Sequence, residues 1–284
     1  MECKCCPRGC HVDRVKFGGF CGFKNVIRVA KIMVHRGEEP ILNGEGGSGA
    51  IFFSGCVLKC AFCQNFIISH GNKGEDYTSD MLIKAILELQ EKGVSNINLI
   101  TPTHFLEQLI PILKDVKPLL KIPIVYNTGG YERPEMIKQL EGLVDIYLPD
   151  LKYYSNELSI KYSGAKDYFY YTSNSIKEMI RQQPKAVIEN GIMKKGVIVR
   201  HLVLPSHYKD SLKLMEWLGG LENKPLVSVM RQYTPAYCAV NFPEINRRLT
   251  TFEYNKVVDY CADLGLEGFT QMKGCDTLEM TPDF

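Results

Sequence analysis

The chain has 284 residues, of which 45% are hydrophobic, and its 34 basic and 32 acidic residues leave a formal net charge of +2. This hydrophobic content is enough for a substantial core, and no stretch is apolar and long enough to cross a bilayer. The two signs of charge are mixed along the chain, which argues against binding to nucleic acid or to an anionic membrane.

The cysteines are unevenly distributed. Eight of the 11 precede residue 64 in spacings typical of metal ligands, and the other three, Cys238, Cys261 and Cys275, are scattered. A small secreted domain would pair its cysteines in disulfides, whereas this pattern is typical of reduced thiols that bind metal in a cytosol. We therefore expect a cytoplasmic protein.

The first 23 residues are rich in cysteine and glycine and show little hydrophobic periodicity. Four thiolates separated by glycine turns suit a closed, four-coordinate structural metal site, and such soft ligands accept either zinc or a second iron–sulfur cluster. A disordered, reduced tail is the alternative. The predicted ligands are Cys3, Cys6, Cys10 and Cys21, with Cys5 as a spare.

Residues 24–48 form a poorly periodic lead-in that ends in a glycine-rich run. Residues 44–49 fit the pattern G-x-G-x-x-G, but they precede a predicted strand instead of following one and opening a helix. The dinucleotide-binding interpretation therefore fails, and we expect a flexible turn. We divide the chain into a Cys-rich extension with its lead-in, residues 1–48, and a main domain, residues 49–284.

Strand-like and helix-like segments alternate through the main domain, which predicts parallel strands joined by right-handed crossovers. The predicted strands are Ala50–Ser54, Asn96–Ile100, Ile122–Tyr126, Val144–Leu148, Val197–Leu204 and Pro225–Met230, with a further one near Gly268–Gln271. The predicted helices are Ser79–Lys92, Phe105–Val116, Pro134–Leu143, Ile176–Asn190 (interrupted at Pro184), Lys209–Leu218 and Phe252–Leu264. About six such units are too few to close an eight-stranded barrel. We expect an α/β fold of the partial (β/α)6 type, with its chemistry at the carboxyl ends of the strands.

Three cysteines directly follow the first predicted strand in the spacing C-x3-C-x2-C. Cys56, Cys60 and Cys63 would bind a four-iron cluster through three thiolates and leave one iron open, much as a catalytic zinc keeps a free position. A zinc loop that borrows a fourth ligand from elsewhere is the alternative.

This cysteine spacing resembles the signature of the radical S-adenosylmethionine (SAM) superfamily. The resemblance implies a partial radical SAM barrel and a [4Fe–4S] cluster whose open iron binds SAM. It also implies reductive cleavage of SAM to a 5′-deoxyadenosyl radical. At Phe62 the resemblance implies a backbone contact with adenine and a ring that shields the cluster, and a simple hydrophobic cover of the loop is the alternative.

Two further segments follow predicted strands: residues 127–130, Asn-Thr-Gly-Gly, come after the third, and residues 150–152, Asp-Leu-Lys, come after the fourth. These segments are similar to those of the activating enzymes of glycyl radical enzymes, especially pyruvate formate-lyase activating enzyme. This similarity implies that Thr128, Asp150 and Lys152 help to bind SAM. Asn127 stands where those enzymes have an aspartate, which puts their monovalent cation site in doubt. Solvated loop ends are the alternative interpretation.

The segment after the second strand departs from the superfamily, because residues 101–104 read Thr-Pro-Thr-His where Gly-Gly-Glu is usual. Threonine hydroxyls and a neutral imidazole can still accept a hydrogen bond from the SAM ammonium, so Thr103 and His104 are candidate SAM ligands. A helix-entry role for His104 is the alternative. Together with residues 48–56, 127–131 and 232–235, the segment resembles an uncharacterised branch of the activating-enzyme-like family over nearly the whole chain.

The resemblance implies an iron–sulfur oxidoreductase that activates a glycyl radical enzyme and takes electrons from a donor such as flavodoxin or ferredoxin. We expect a monomer. One alternative is modification of a peptide or small metabolite, in which Cys238 or Cys275 returns a hydrogen atom. A buried, inert thiol is the alternative interpretation of each of these two cysteines. A different class is a non-catalytic thiolate–metal or electron-transfer protein, against which the missing fourth cysteine near Cys63 and the polar strand ends argue. The substrate, the electron donor and the N-terminal metal stay open.

Overall fold

A computed structural model describes residues 2–272 and 274 of the chain. Its strands are β1 (Ile27–His35), β2 (Ser48–Phe53), β3 (Glu75–Tyr77), β4 (Ile97–Ile100), β5 (Ile124–Thr128), β6 (Ile146–Pro149), β7 (Val187–Glu189), β8 (Ile192–Leu202), β9 (Leu226–Met230) and β10 (Gly268–Thr270). They form one sheet in the order β10-β9-β8-β6-β5-β4-β2-β1-β3, with β7 paired to β8.

The helices lie between these strands in the chain. They are α1 (Pro40–Asn43), α2 (Phe66–Ser69), α3 (Ser79–Glu91), α4 (Leu106–Val116), α5 (Pro134–Lys138), α6 (Asn156–Ser163), α7 (Tyr168–Gln182), α8 (Tyr208–Gly219) and α9 (Thr251–Asp263). Local sequence signals set their starts: the Thr78 hydroxyl accepts a hydrogen bond from the Met81 amide to cap α3, and Thr250 and Glu253 form a capping box on α9.

The sheet confirms the predicted partial barrel. Neighbouring strands from β2 through β4, β5, β6, β8 and β9 to β10 are parallel, and β1 and β3 add an antiparallel edge. Within the described residues the sheet ends at β3 on one side and β10 on the other, so it does not close. Every residue of β2 and β5 is buried, as expected of parallel strands covered on both faces.

The structure differs from the sequence interpretation at one strand, which was missed, and at one helix, whose predicted bounds were wrong. The lead-in contains β1, which pairs with β2 along most of its length. Most residues of β1 are only partly buried, so its apolar periodicity is weak. The helix predicted at Ile176–Asn190 instead begins at Tyr168 and ends at Gln182, just before Pro184, and β7 follows it.

Most of the hydrophobic core lies in one cluster that joins the sheet to its helices. A second cluster is built from segments that follow the strands, and it includes Val57, Leu58 and Phe62 of the cysteine loop with Tyr153 and Tyr233. The loop is therefore anchored by its own apolar side chains. Across residues 2–272 and 274, no helix combines the length and the apolar character that a membrane span needs.

Candidate active site

A cleft of about 270 Å³ opens at the carboxyl ends of the parallel strands. Because parallel strands all end at the same edge of the sheet, residues far apart in the sequence meet there. Ten of the polar and sulfur-containing lining residues lie at or after the ends of β2, β4, β5, β6, β8 and β9: Cys56, Cys60, Cys63, Thr101, Asn127, Thr128, Asp150, Lys152, Arg200 and Gln232.

The three cysteines of the C-x3-C-x2-C loop all line this cleft. The Ser163 hydroxyl donates a hydrogen bond to Sγ of Cys60 at 3.0 Å, and the Leu58 amide donates one to Sγ of Cys56 at 3.3 Å. Ser69 Oγ lies 3.2 Å from Sγ of Cys63. Such contacts to sulfur stabilise a thiolate and tune an iron–sulfur cluster.

Burial opposes ionisation of two of these thiols. It raises the pKa of Cys63 to about 12 and also raises the pKa of Cys56, with further increases from the neighbouring cysteines. Thiolates at this position therefore need a compensating cation, which metal binding supplies by displacing the protons.

Phe62 covers the loop from the side of the cleft. Its ring is buried and its centroid lies 5.8 Å from that of Tyr233 and 6.4 Å from that of Tyr162. These aromatic contacts fix the loop between its second and third cysteines, because the ring stands directly before Cys63.

A charged group lies beside the thiols at the ends of β6 and β8. The Lys152 ammonium lies 2.6 Å from Oδ2 of Asp150, and Nε of Arg200 lies 2.9 Å from Oδ1. Burial opposes ionisation of Asp150, but the two cations outweigh it and hold the pKa of this carboxyl below its usual range. The pKa of Lys152 is raised in turn, because Asp150 offsets the burial of the ammonium. All three charges therefore persist at neutral pH.

Sequence analysis missed two members of this charged group. Arg200 also donates from Nη2 to the Asn127 side-chain oxygen at 2.6 Å and lies 3.6 Å from the carboxylate of Glu38. Burial raises the pKa of Glu38 to about 7, although Arg200 opposes the increase. An arginine inside the apolar run of β8 was a usable signal for Arg200. Glu38, in a turn before α1, carried none.

Another buried carboxylate, that of Glu132, accepts hydrogen bonds from residues at or after the ends of β4 and β5. Thr103 and Thr128 both donate their hydroxyls to Oε1 of Glu132, and the Tyr126 hydroxyl lies 3.2 Å from the same oxygen. Burial raises the pKa of Glu132 to about 7, against the effect of these donors. Thr103 is thus engaged with Glu132, and it does not line the cleft.

His104 also lies behind the cleft wall. Its Nε2 donates to the backbone oxygen of Ser54 at 2.7 Å, and its ring packs on Phe105 with centroids 4.1 Å apart. Burial lowers the pKa of His104 to about 3, so the ring is neutral. The strand-end residue of this segment that does line the cleft is Thr101, whose φ is +60°.

The N-terminal cysteines lie close to one another. A β-carbon on Gly19 would lie 3.6 Å from Sγ of Cys10 and 3.7 Å from Sγ of Cys21, and Cys3 influences the ionisation of both Cys6 and Cys21. The thiol of the predicted spare, Cys5, instead donates to the backbone oxygen of Thr103 at 3.1 Å.

The thiols of these N-terminal cysteines do not converge on a single metal position. Among the described residues, no group of three or more His, Cys, Asp or Glu side chains is arranged to hold a single metal ion.

Of the two cysteines suggested as hydrogen-atom donors, only Cys238 lies in the described part of the chain. Its backbone amide donates to the Ala61 oxygen of the cysteine loop at 2.9 Å. Cys275 lies outside the described residues.

Comparison with known proteins agrees with this architecture. The sequence profile of the Radical SAM superfamily matches residues 50–218. The chain belongs to the radical SAM superfamily. An uncharacterised protein of Methanocaldococcus jannaschii is 33% identical over 277 residues, which cover 94% of this chain and 76% of that protein. Radical SAM proteins bind a [4Fe–4S] cluster and SAM, so both are cofactors of this chain.

Solved structures of low identity share the fold. SuiB of Streptococcus suis, bound to its precursor peptide SuiA, superposes with a TM-score of 0.53 at 14% identity over 86% of this chain, which spans 51% of SuiB. A radical SAM methyltransferase of Sphaerobacter thermophilus superposes with a TM-score of 0.53 at 16% identity. The match covers 80% of this chain and 67% of the methyltransferase. QueE of Escherichia coli superposes with a TM-score of 0.50 at 12% identity, and the match covers 92% of this chain and 99% of QueE. These similarities show the barrel fold alone.

Proposed function

We propose that Cys56, Cys60 and Cys63 hold the [4Fe–4S] cluster of this radical SAM enzyme. Three thiols lie on one loop with hydrogen-bond donors directed at two of the sulfurs, and they share a cleft with the charged group. In a cluster of this type each thiolate binds a different iron, so the sulfurs need not converge on one point. The residues present therefore fit a cluster with one open iron.

The charged group fits the amino-acid end of SAM. Lys152 and Arg200 offer cationic donors for the SAM carboxylate, while Asp150 and the Thr101 and Thr128 oxygens offer acceptors for its ammonium. Thr101 replaces Thr103 and His104 in this proposal, because Thr101 lines the cleft and the other two do not. We propose that Phe62 covers the cluster and excludes water from it.

A cluster held by these three cysteines would supply the electron that cleaves SAM, which is the superfamily's route to hydrogen abstraction. The residues of the cleft bind and orient SAM against the loop, and Phe62 limits solvent access. Asp150 keeps Lys152 and Arg200 ordered in the free enzyme, since each is paired before any ligand arrives.

For the target we propose a glycine of a partner protein, which the enzyme converts to a radical, with electrons from a donor of the flavodoxin or ferredoxin type. The support is the matching of Thr128, Asp150 and Lys152 to the activating-enzyme segments, and all three line the cleft. Modification of a peptide or small metabolite uses the same site and is the alternative outcome of the test.

Isotope transfer tests both levels of the proposal. Reduced enzyme and SAM are incubated anaerobically with proteins of the source organism grown on deuterated glycine, and 5′-deoxyadenosine is analysed by mass spectrometry. Deuterium in the product supports a glycine target. Product without deuterium supports the alternative substrates, and absence of product in every condition contradicts the assigned cluster site.

We also propose that Cys3, Cys6, Cys10 and Cys21 bind a second metal, zinc or an iron–sulfur cluster. Their mutual proximity supports this. Replacing Cys6 and Cys10 by serine should remove that metal from elemental analysis and lower the melting temperature, because structural metal binding contributes to folding. Unchanged metal content would contradict it.

A further inference from the structure

Arg8 joins the N-terminal cysteine segment to the loop of the catalytic cysteines. It stands on the turn between Cys6 and Cys10, and this turn is fixed by two bonds to the Cys6 backbone oxygen, from the Gly9 amide at 3.3 Å and from Nε of Arg133 at 2.9 Å. The Arg8 side chain therefore leaves a well-held backbone.

The guanidinium of Arg8 contacts the cysteine loop directly. Its Nε donates to the backbone oxygen of Val57 at 2.6 Å and its Nη2 to that of Leu58 at 3.3 Å. Both oxygens belong to the three residues that separate Cys56 from Cys60. Charge-assisted hydrogen bonds of this kind are stronger than neutral ones, so Arg8 holds the backbone of the loop firmly.

The same guanidinium holds the end of α6. It donates to the backbone oxygen of Ser163 at 2.7 Å and to that of Gly164. The last carbonyls of a helix have no partner within the helix and favour a nearby cation. Since the Ser163 hydroxyl donates to Sγ of Cys60, Arg8 fixes both the loop that carries this thiol and the residue that bonds it.

Arg8 also places a positive charge close to the cysteine thiols. Its charge interacts with the thiols of Cys6, Cys56 and Cys60, while its planar group lies over the Phe20 ring at 3.9 Å. Arginine stays protonated in proteins, so this positive charge is permanent. Net charge near a cluster sets its reduction potential, and a cation favours the form that carries the extra electron.

The segment makes a second close contact with the loop at its start. Gly55, directly before Cys56, has a φ of +83°, and a β-carbon there would lie 2.6 Å from the Cys21 backbone oxygen. The backbone of an N-terminal cysteine thus packs against the residue that opens the cluster loop. Two separate contacts, one polar and one steric, therefore connect the segments.

We infer that Arg8 is a positioning residue that clamps the Cys56–Cys60 loop to α6 and makes the catalytic cluster easier to reduce. The inference rests on the proposed function, in which this loop holds the cluster. It also gives the N-terminal segment a role in the reaction, because the backbone of Arg8 is set by the turn between two of the thiolates.

The test measures the cluster's midpoint potential in the full-length, cluster-loaded protein by an EPR-monitored redox titration. Arg8→Gln removes the charge, and a unit charge this close is worth on the order of tenfold in the reduction equilibrium. The expected shift is therefore about 59 mV to more negative potential for a one-electron couple. Arg8→Lys keeps the charge and should keep the potential, although a single ammonium cannot contact four carbonyls.

Lys16→Gln is the matched control, because it removes an exposed charge from the same segment. An unchanged potential in Arg8→Gln, or an equal shift in Lys16→Gln, overturns the inference. The clamp is read separately by hydrogen exchange of the Ala61 and Cys63 amides, which bond Tyr162 and Cys60 oxygens and should exchange faster in both Arg8 variants.

Two further results keep the test decisive. If Arg8→Gln and Arg8→Lys both fail to retain iron, the full-length apoproteins are compared by hydrogen exchange: faster exchange at these amides supports the clamp, and wild-type exchange overturns it. Cys60→Ala is titrated alongside. If this variant keeps the wild-type cluster signal, the proposed cluster site is wrong, a failure distinct from that of Arg8.

Discussion

Arg200 and Asp150 pair across adjacent parallel strands, with Nε and Oδ1 2.9 Å apart, and both residues line the cleft. Their segments are 50 residues apart in the sequence and meet because β6 and β8 are neighbours in the sheet. Lys152 adds a second cation to the same carboxylate, so Asp150 is held by two partners before SAM binds. Asp150 is thus the centre of the charged group.

Replacing this carboxylate should weaken SAM binding more than cluster assembly. A buried hydrogen bond to a charged group is worth about 1.5–3 kcal/mol, so Asp150→Ala should raise the dissociation constant of SAM about ten- to a hundredfold. Calorimetric titration measures the affinity, and iron content with visible absorbance measures the cluster, which should stay at wild-type level. Asp115→Ala, at an exposed position of α4, is the control. Normal affinity with lost iron would show that Asp150 supports the fold instead.

The cysteine loop gives a second prediction. Cys56→Ala, Cys60→Ala and Cys63→Ala should each abolish formation of 5′-deoxyadenosine, because each leaves one cluster iron without its thiolate. Cys261 is an equally useful comparison, since it is buried on α9 and does not line the cleft. Cys261→Ala should retain SAM cleavage. Product formation at wild-type rate in all three loop variants would show that the cluster lies elsewhere.

The sequence predicted which strand ends form the cleft better than it predicted which side chains line it. Because Leu151 separates Asp150 from Lys152, the alternation of side chains along an extended chain predicts that the two share a face, and both line the cleft. Periodicity cannot show which polar residue turns inward on an irregular segment, so Thr103 and His104 were chosen where Thr101 faces the cleft. Cross-strand partners are likewise set by sheet order, which no local pattern contains.

A pH-dependent stability difference should follow from Glu132. Burial raises its folded-state pKa from the usual 4.5 to about 7, so between these values the folded protein binds more protons than the unfolded chain. The free energy of unfolding therefore falls as pH rises through this window. Glu132→Gln mimics the protonated side chain and lacks this titration. Relative to wild type, the variant should gain up to about 3 kcal/mol between pH 5 and pH 8, as measured by urea denaturation.

The matched control for this titration is Glu135→Gln on α5, just after the buried carboxylate in the chain. Its side chain lies outside the group formed by Thr103, Thr128 and Tyr126, so its substitution should leave the slope of stability against pH unchanged. A slope in Glu132→Gln equal to that of wild type would contradict the assignment of this titration to Glu132.

His104 separates a structural role from a SAM-binding role. Its Nε2 donates to the backbone oxygen of Ser54, just before the C-x3-C-x2-C loop, and Arg14 donates to the backbone oxygen of His104. His104→Ala leaves that Ser54 oxygen unpaired and opens a cavity beside Phe105, so the melting temperature should fall by several degrees. SAM affinity of the folded protein should stay within about threefold of wild type, because the imidazole does not line the cleft.

Thr101→Ala provides the opposite comparison, because Thr101 does line the cleft. In this variant the SAM affinity should fall while the melting temperature stays at the wild-type value. A tenfold loss of affinity in His104→Ala at an unchanged melting temperature would return this histidine to the SAM site.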